Sequence, residues 1–125
     1  MQSLSQQMID AGKLLVEELD KRNEEVDSAF WFLFSDTRNW KLVLSLPAAT
    51  RRGPRVAYKT VQKAMLKINV SEFGLDSVAI ARLDTHLIKL MRTAVRTGKT
   101  LGGIRFTNNV IDGISIEDAY IYRLM

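Results

Sequence analysis

The chain has 125 residues, the length of one domain, and is long enough to bury a hydrophobic core without disulfides. It contains no cysteine, which excludes disulfides, thiolate catalysis and cysteine metal sites, and its longest wholly apolar run, AFWFLF, is too short to span a membrane. The N-terminal residues lack the pattern of a secretory signal. We therefore predict a single cytoplasmic domain over residues 1–125 without membrane contact.

The net charge of +4 is distributed unevenly along the chain. Residues 1–36 contain eight acids and three bases, residues 37–71 contain eight bases and no acid, and residues 72–125 contain six acids and seven bases. Six of the bases in the middle segment lie between Arg51 and Lys67. A basic segment of this kind is typical of a nucleic-acid contact, of a contact with an acidic partner, or of a well solvated helix face.

The first predicted element is a helix. Apolar residues recur every three or four positions from Leu4 to Leu19, which is the period of an amphipathic helix. Ser3 and Gln6 have the spacing of a capping box, and we expect the helix to end near Arg22.

A β-hairpin is predicted next, because AFWFLF and WKLVLSL alternate with a period of two around the polar turn SDTRN, and Pro47 ends the second strand. On this pattern the phenylalanines and Trp40 share one face, while Trp31, Leu33 and Val43 share the other. Both faces are apolar. Either helices of the same chain cover both, or a second copy covers the face of Trp31, Leu33 and Val43, which are our candidate residues for self-association.

The basic segment is predicted to form a loop over residues 50–54 and a second helix that starts at Pro54. Apolar residues fill one side of this helix and cations fill the other. The candidate contacts to an anion or to nucleic acid are Arg51, Arg52, Arg55, Lys59, Lys63 and Lys67. A solvated helix face explains the same pattern, and so does contact with the acidic first helix of this chain or of a partner.

The remaining elements are a third strand over residues 77–83, a third helix from Asp84 to Gly98, and two strands with a turn at residues 108–109 or 112–113. Lys89, Arg92 and Arg96 form a second basic face, which would be continuous with the first if the two helices lay side by side. The order α-β-β-α-β-α-β-β predicts an α+β fold with three helices on a mainly antiparallel sheet of about five strands.

No catalytic, cofactor or metal site is predicted. His86 is the only histidine, so no set of nitrogen and sulfur ligands can converge on a metal. Asp112, Glu117 and Asp118 lie close together in sequence, but adjacent residues of a strand point to opposite faces.

The hairpin AFWFLFSDTRNWKLVLSLP, the helix start GPR and the tail GIRFTNNVIDGISIEDAYIYRL resemble a group of small bacterial proteins without assigned function. The resemblance implies a cytoplasmic bacterial protein and brings no activity with it. Our first prediction is a non-enzymatic module that binds a protein partner or forms a homodimer. The alternative is sequence-independent binding of nucleic acid through the basic helix, and a small enzyme with a carboxylate site ranks third.

Overall fold

The computed structural model describes residues 3–99 and 101–125. Within them, four helices and one sheet of five strands follow in chain order. The elements are α1 (Gln6–Lys21), β1 (Ser28–Phe34), β2 (Asn39–Ser45), α2 (Pro47–Arg51), α3 (Pro54–Lys67), a 3₁₀ turn (Leu75–Ser77), β3 (Val78–Ile80), α4 (His86–Ala94), β4 (Ile104–Ile111) and β5 (Ile114–Leu124).

The sheet has the strand order β3-β2-β1-β5-β4, and every neighbouring pair is antiparallel except the parallel pair of β2 and β3. The predicted α+β class and mainly antiparallel sheet are therefore confirmed. The helix count differs by one because Pro47 does not simply end the hairpin. Its fixed φ and missing N–H suit the first position of the short helix α2, which occupies part of the predicted loop.

The hairpin register corrects one prediction. Phe34 pairs with Asn39 across the turn. Even-numbered residues of β1 therefore lie opposite odd-numbered residues of β2, and odd-numbered residues of β1 lie opposite even-numbered ones. Trp31 therefore shares its face with Leu42, and Val43 lies on the opposite face. The prediction that Trp31, Leu33 and Val43 share a face was wrong, because the length of the turn decides how the two alternations match.

Helices cover both faces of the sheet. Trp31, Leu42 and Tyr122 belong to a core cluster that α1 and α3 complete on one face. Phe30, Val43 and Ile121 belong to a second cluster on the other face, which α4 completes. α3 and α4 thus lie on opposite sides of the sheet, so their basic faces cannot form the continuous surface that side-by-side packing would give.

Buried hydrogen bonds attach α1 to the sheet. The Trp31 indole N–H donates to the Tyr122 hydroxyl at 2.9 Å, and that hydroxyl donates to the backbone carbonyl of Ile9 in α1. Gly12 lies beside this pair: a Cβ atom there would come within 2.4 Å of the Tyr122 hydroxyl oxygen. The absence of a side chain at Gly12 therefore allows the close approach of α1.

Two helices begin at residues other than the predicted ones. α1 begins after Ser5, whose hydroxyl accepts from the Met8 N–H at 3.1 Å, whereas Ser3 was the predicted cap. α4 is preceded by Thr85, because the predicted cap Asp84 lies 3.4 Å from the Arg82 guanidinium.

The ends of the last three elements also shift. α4 stops at Ala94, four residues before Gly98, because Thr97 exchanges hydrogen bonds with Leu124 at the end of β5. Of the two predicted turns, the chain uses Asp112–Gly113, where both residues have positive φ. β3 occupies only three of the seven residues predicted.

Candidate polyanion-binding surface

The six cations of the basic segment are all exposed. α2 and its C-cap carry Arg51 and Arg52, and the rest lie on α3. The other side of α3 packs Ala57, Val61 and Ala64 into the core, so residues spaced by four around Lys59 must point to solvent. We call Arg51, Arg52, Arg55, Lys59, Lys63 and Lys67 the basic face.

The charge of the basic face is almost uncompensated. Among residues 3–99 and 101–125, the only ion pair that involves the face joins Arg52 to Glu24 at 3.4 Å. The other five cations have no carboxylate oxygen within ion-pair distance in that part of the chain. Several cations without ion-pair partners give a positive potential that attracts anions.

The acidic first helix does not neutralise this face. α1 packs beside α3, but the same pair of Arg52 and Glu24 is the only ion pair found between residues 1–36 and the basic segment in the described chain. Acids of α1 are engaged elsewhere: Glu18 pairs with Arg22, and Asp20 pairs with the buried Arg123. The intramolecular version of the hypothesis that the basic helix faces the acidic helix is therefore not supported.

The cations of α3 extend over a distance that contains several phosphates of a nucleic-acid strand. At 1.5 Å per residue, Arg55 and Lys67 are separated by about 18 Å along α3. One strand of duplex DNA places roughly five phosphates over that distance. Leu66 interrupts the cations and is 70% exposed, so the face also offers one apolar side chain.

The second predicted basic group lies apart and is partly structural. Arg92 is half-buried and forms an ion pair with Asp27, whereas Lys89 and Arg96 are exposed. Because α4 covers the opposite side of the sheet, these residues form a separate, weaker positive region.

The residues predicted for self-association do not form a surface. Trp31, Leu33 and Val43 are 0%, 6% and 2% exposed. α1 lies over the face of Trp31, and the cluster that contains α4 encloses Val43. Cover by helices of the same chain, one of the two alternatives for the hairpin, is the arrangement found.

Two of the acids near the end of the sequence form ion pairs within the fold. Glu117 pairs with Arg38 at 2.8 Å, and Asp118 pairs with Arg105 at 2.7 Å. The hydrogen bond to Asp118 raises the pKa of Arg105 above its ordinary value. His86 is exposed at the start of α4, and in the described residues no three His, Asp or Glu side chains form a group that could hold a metal ion.

A cavity of about 530 Å³ lies where α1, β1 and β5 meet, and charged residues line it. Arg123 is nearly fully buried there, and it donates to both carboxylate oxygens of Asp20 and to the backbone carbonyl of Val26. Asp27, also in the lining, pairs with Arg92. The ion pair of Arg123 and Asp20 joins β5 to α1, and that of Asp27 and Arg92 joins the segment before β1 to α4.

Three exposed apolar residues were not predicted from the sequence. Ile104, Val110 and Ile114 are 37%, 69% and 41% exposed on the hairpin of β4 and β5. A signal was present in the sequence, since Val110 and Ile111 are adjacent apolar residues in a strand and cannot both face one core.

No protein-family model, no curated protein and no solved structure matches this chain. The resemblance to small bacterial proteins thus stays a prediction. None of the helices in residues 3–99 and 101–125 combines the length and the hydrophobicity needed to cross a membrane.

Proposed function

We propose that this protein is a non-enzymatic binding module whose basic face binds the phosphate backbone of nucleic acids without regard to base sequence. The observation that carries the proposal is a set of exposed cations that have no ion-pair partner among the described residues: Arg51 on α2, and Arg55, Lys59, Lys63 and Lys67 on α3. Phosphates would supply those partners, and release of their counterions would drive binding.

The arrangement of the cations supports a point-charge mode of binding. Lys59, Lys63 and Lys67 are spaced by one helical turn, so each lysine repels the next. Lysine carries a compact charge on a flexible stem and contacts phosphate without defining base identity. The repulsion costs a few tenths of a kcal/mol for each pair, and bound phosphates would relieve it.

Binding to labelled nucleic acid over a series of salt concentrations tests the proposal. Fluorescence anisotropy would be measured with two duplexes of unrelated sequence and with a single strand. If five or six cations contact phosphates, log K should fall with log salt at a slope of roughly −4 to −5 on the duplexes. Equal affinity for the two duplexes is expected.

Three outcomes would contradict the proposal. Absence of binding at low salt would leave the basic face as a solvated surface. A strong preference for one duplex at physiological salt would require base-reading residues that the basic face does not provide. Equal affinity for polyglutamate of matched charge would indicate an acidic protein partner. It would then favour the prediction, placed first from the sequence, of a module that binds proteins.

A further inference from the structure

The strand β4 lies at the end of the sheet with one side unpaired. It hydrogen-bonds to β5 on one side, and no strand of the described chain pairs with the other. β4 is eight residues long, and nearly all of it is exposed. The backbone groups of such an edge are available to pair with another strand.

The opposite edge of the sheet, formed by β3, is protected against pairing with another strand. β3 has only three residues, and the Ile80 N–H donates to the Tyr58 hydroxyl of α3 at 3.2 Å. Short edge strands and capped backbone groups prevent strand pairing. β4 has neither protection.

The side chains of β4 also favour pairing. The strand contains no proline and no lysine, which are the residues that usually block edge association. Its single charged residue, Arg105, is held by both carboxylate oxygens of Asp118. The exposed side chains include Ile104 and Val110, and Ile114 follows at the start of β5.

We propose that β4 pairs in an antiparallel manner with β4 of a second copy of this chain, about a two-fold axis between Thr107 and Asn108. A second copy is the fitting occupant because this axis sets residues 104–106 of each strand opposite residues 109–111 of the other, so both halves of the edge are paired. Ile104 then faces Ile111 of the second copy, and Arg105 faces Val110, so no like charges meet.

The centre of the interface has one irregularity. Asn108 has a φ of 52°, so the extended backbone is interrupted there and pairing rests on residues 104–106 against 109–111. One strand pair with few apolar side chains is a small interface, and we expect a dissociation constant on the order of micromolar.

Size measurement with matched variants tests this interface without nucleic acid, so its result is independent of the proposed function. Light scattering at about 100 µM should give twice the 14.2 kDa of one chain. Val110→Lys adds a charge to the edge and should weaken the dimer at least about tenfold. Leu14→Lys, an equivalent change at an exposed residue of α1, should leave the dimer intact.

Chemical cross-linking provides a second measurement that needs no loss of folding. Because the chain has no cysteine, Thr107→Cys and Leu14→Cys each introduce one thiol. A short bismaleimide should cross-link Thr107→Cys into dimers at least about tenfold faster than Leu14→Cys, because the axis brings the two copies of residue 107 together. A monomeric wild-type protein, an unchanged dissociation constant for Val110→Lys in a dilution series, or equal cross-linking rates would overturn the proposal.

Discussion

At the scale of single residues, the contact between Gly12, Trp31 and Tyr122 explains how α1 is seated. The hydroxyl of Tyr122 accepts from the Trp31 indole and donates to Ile9, so it cannot move away from an added side chain at Gly12 without losing hydrogen bonds. A buried polar group that loses its partner costs about 1–3 kcal/mol.

Gly12→Ala should therefore destabilise the protein by about 2 kcal/mol, even though alanine favours a helix over glycine by about 1 kcal/mol. Urea denaturation followed by circular dichroism measures the change. Lys13→Ala, at the exposed neighbouring position, is the control and should change stability by less than about 0.5 kcal/mol. An unchanged or increased stability of Gly12→Ala would show that α1 does not depend on this close approach.

Burial raises the pKa of Tyr122 above its ordinary value. The folded state therefore favours the neutral phenol, and its contribution to stability is complete below the unfolded pKa of about 10 and is lost as the pH rises above it. We expect the free energy of unfolding to fall more steeply above about pH 10 in the wild type than in Tyr122→Phe.

Tyr122→Phe should also cost about 1–3 kcal/mol at neutral pH, because the Trp31 indole N–H loses its acceptor. Denaturant midpoints measured from pH 7 to 11 give both quantities. Identical alkaline slopes for the two proteins would contradict the assignment of this pH dependence to Tyr122.

At the scale of elements, the periodicity of apolar residues predicted those helices and strands whose formation depends on residues close in sequence. The period of three to four residues located α1 and α3, and the period of two located β1 and β2, because burial of one face dictates both patterns. The facing of Val43 could not be predicted, because it depends on the turn register. The end of α4 depends on Thr97 and Leu124, which are far apart in sequence.

Repulsion between neighbouring lysines lowers the stability of α3. Lys63 repels Lys59 and Lys67, each one turn away. Lys63→Gln removes both repulsions and should stabilise the protein by about 0.5 kcal/mol, and Lys63→Glu adds two attractions and should stabilise it by about 1 kcal/mol. Thermal unfolding at low salt measures the series.

The same two variants should bind nucleic acid more weakly than the wild type, in the order Lys63→Gln and then Lys63→Glu. Stability and binding would then change in opposite directions at one residue. A series in which Lys63→Glu is destabilised would contradict the exposed position of Lys63.

At the scale of the whole molecule, the sheet separates two sets of cations. The six residues of the basic face could be identified from the sequence, because charge and helical period are local properties. Their separation from Lys89 and Arg96 could not, because only the tertiary packing decides which side of the sheet a helix covers. The edge at β4 was missed for a similar reason, since strand order follows from pairings between distant segments.

Dimerisation through β4 would place the basic faces of the two copies far apart. The two β3 strands would lie at opposite ends of a ten-stranded sheet, roughly 40 Å apart at about 4.8 Å for each strand spacing. α3 contacts β3, so each copy would present its basic face near one end. A long duplex that contacts both faces would bind more tightly than a short one, by effective concentration alone.

Two double variants with the same loss of charge separate binding by the basic face from an effect of net charge. Lys59→Gln with Lys63→Gln removes two cations from the basic face, whereas Lys89→Gln with Arg96→Gln removes two exposed cations from the other side of the sheet. The slope of log K against log salt would be measured by anisotropy with one labelled duplex. If the basic face binds the duplex, the first pair should reduce the slope by about two and the second should leave it nearly unchanged. Equal reductions by the two pairs would show that net charge, and not the basic face, governs binding, and would contradict the proposed function.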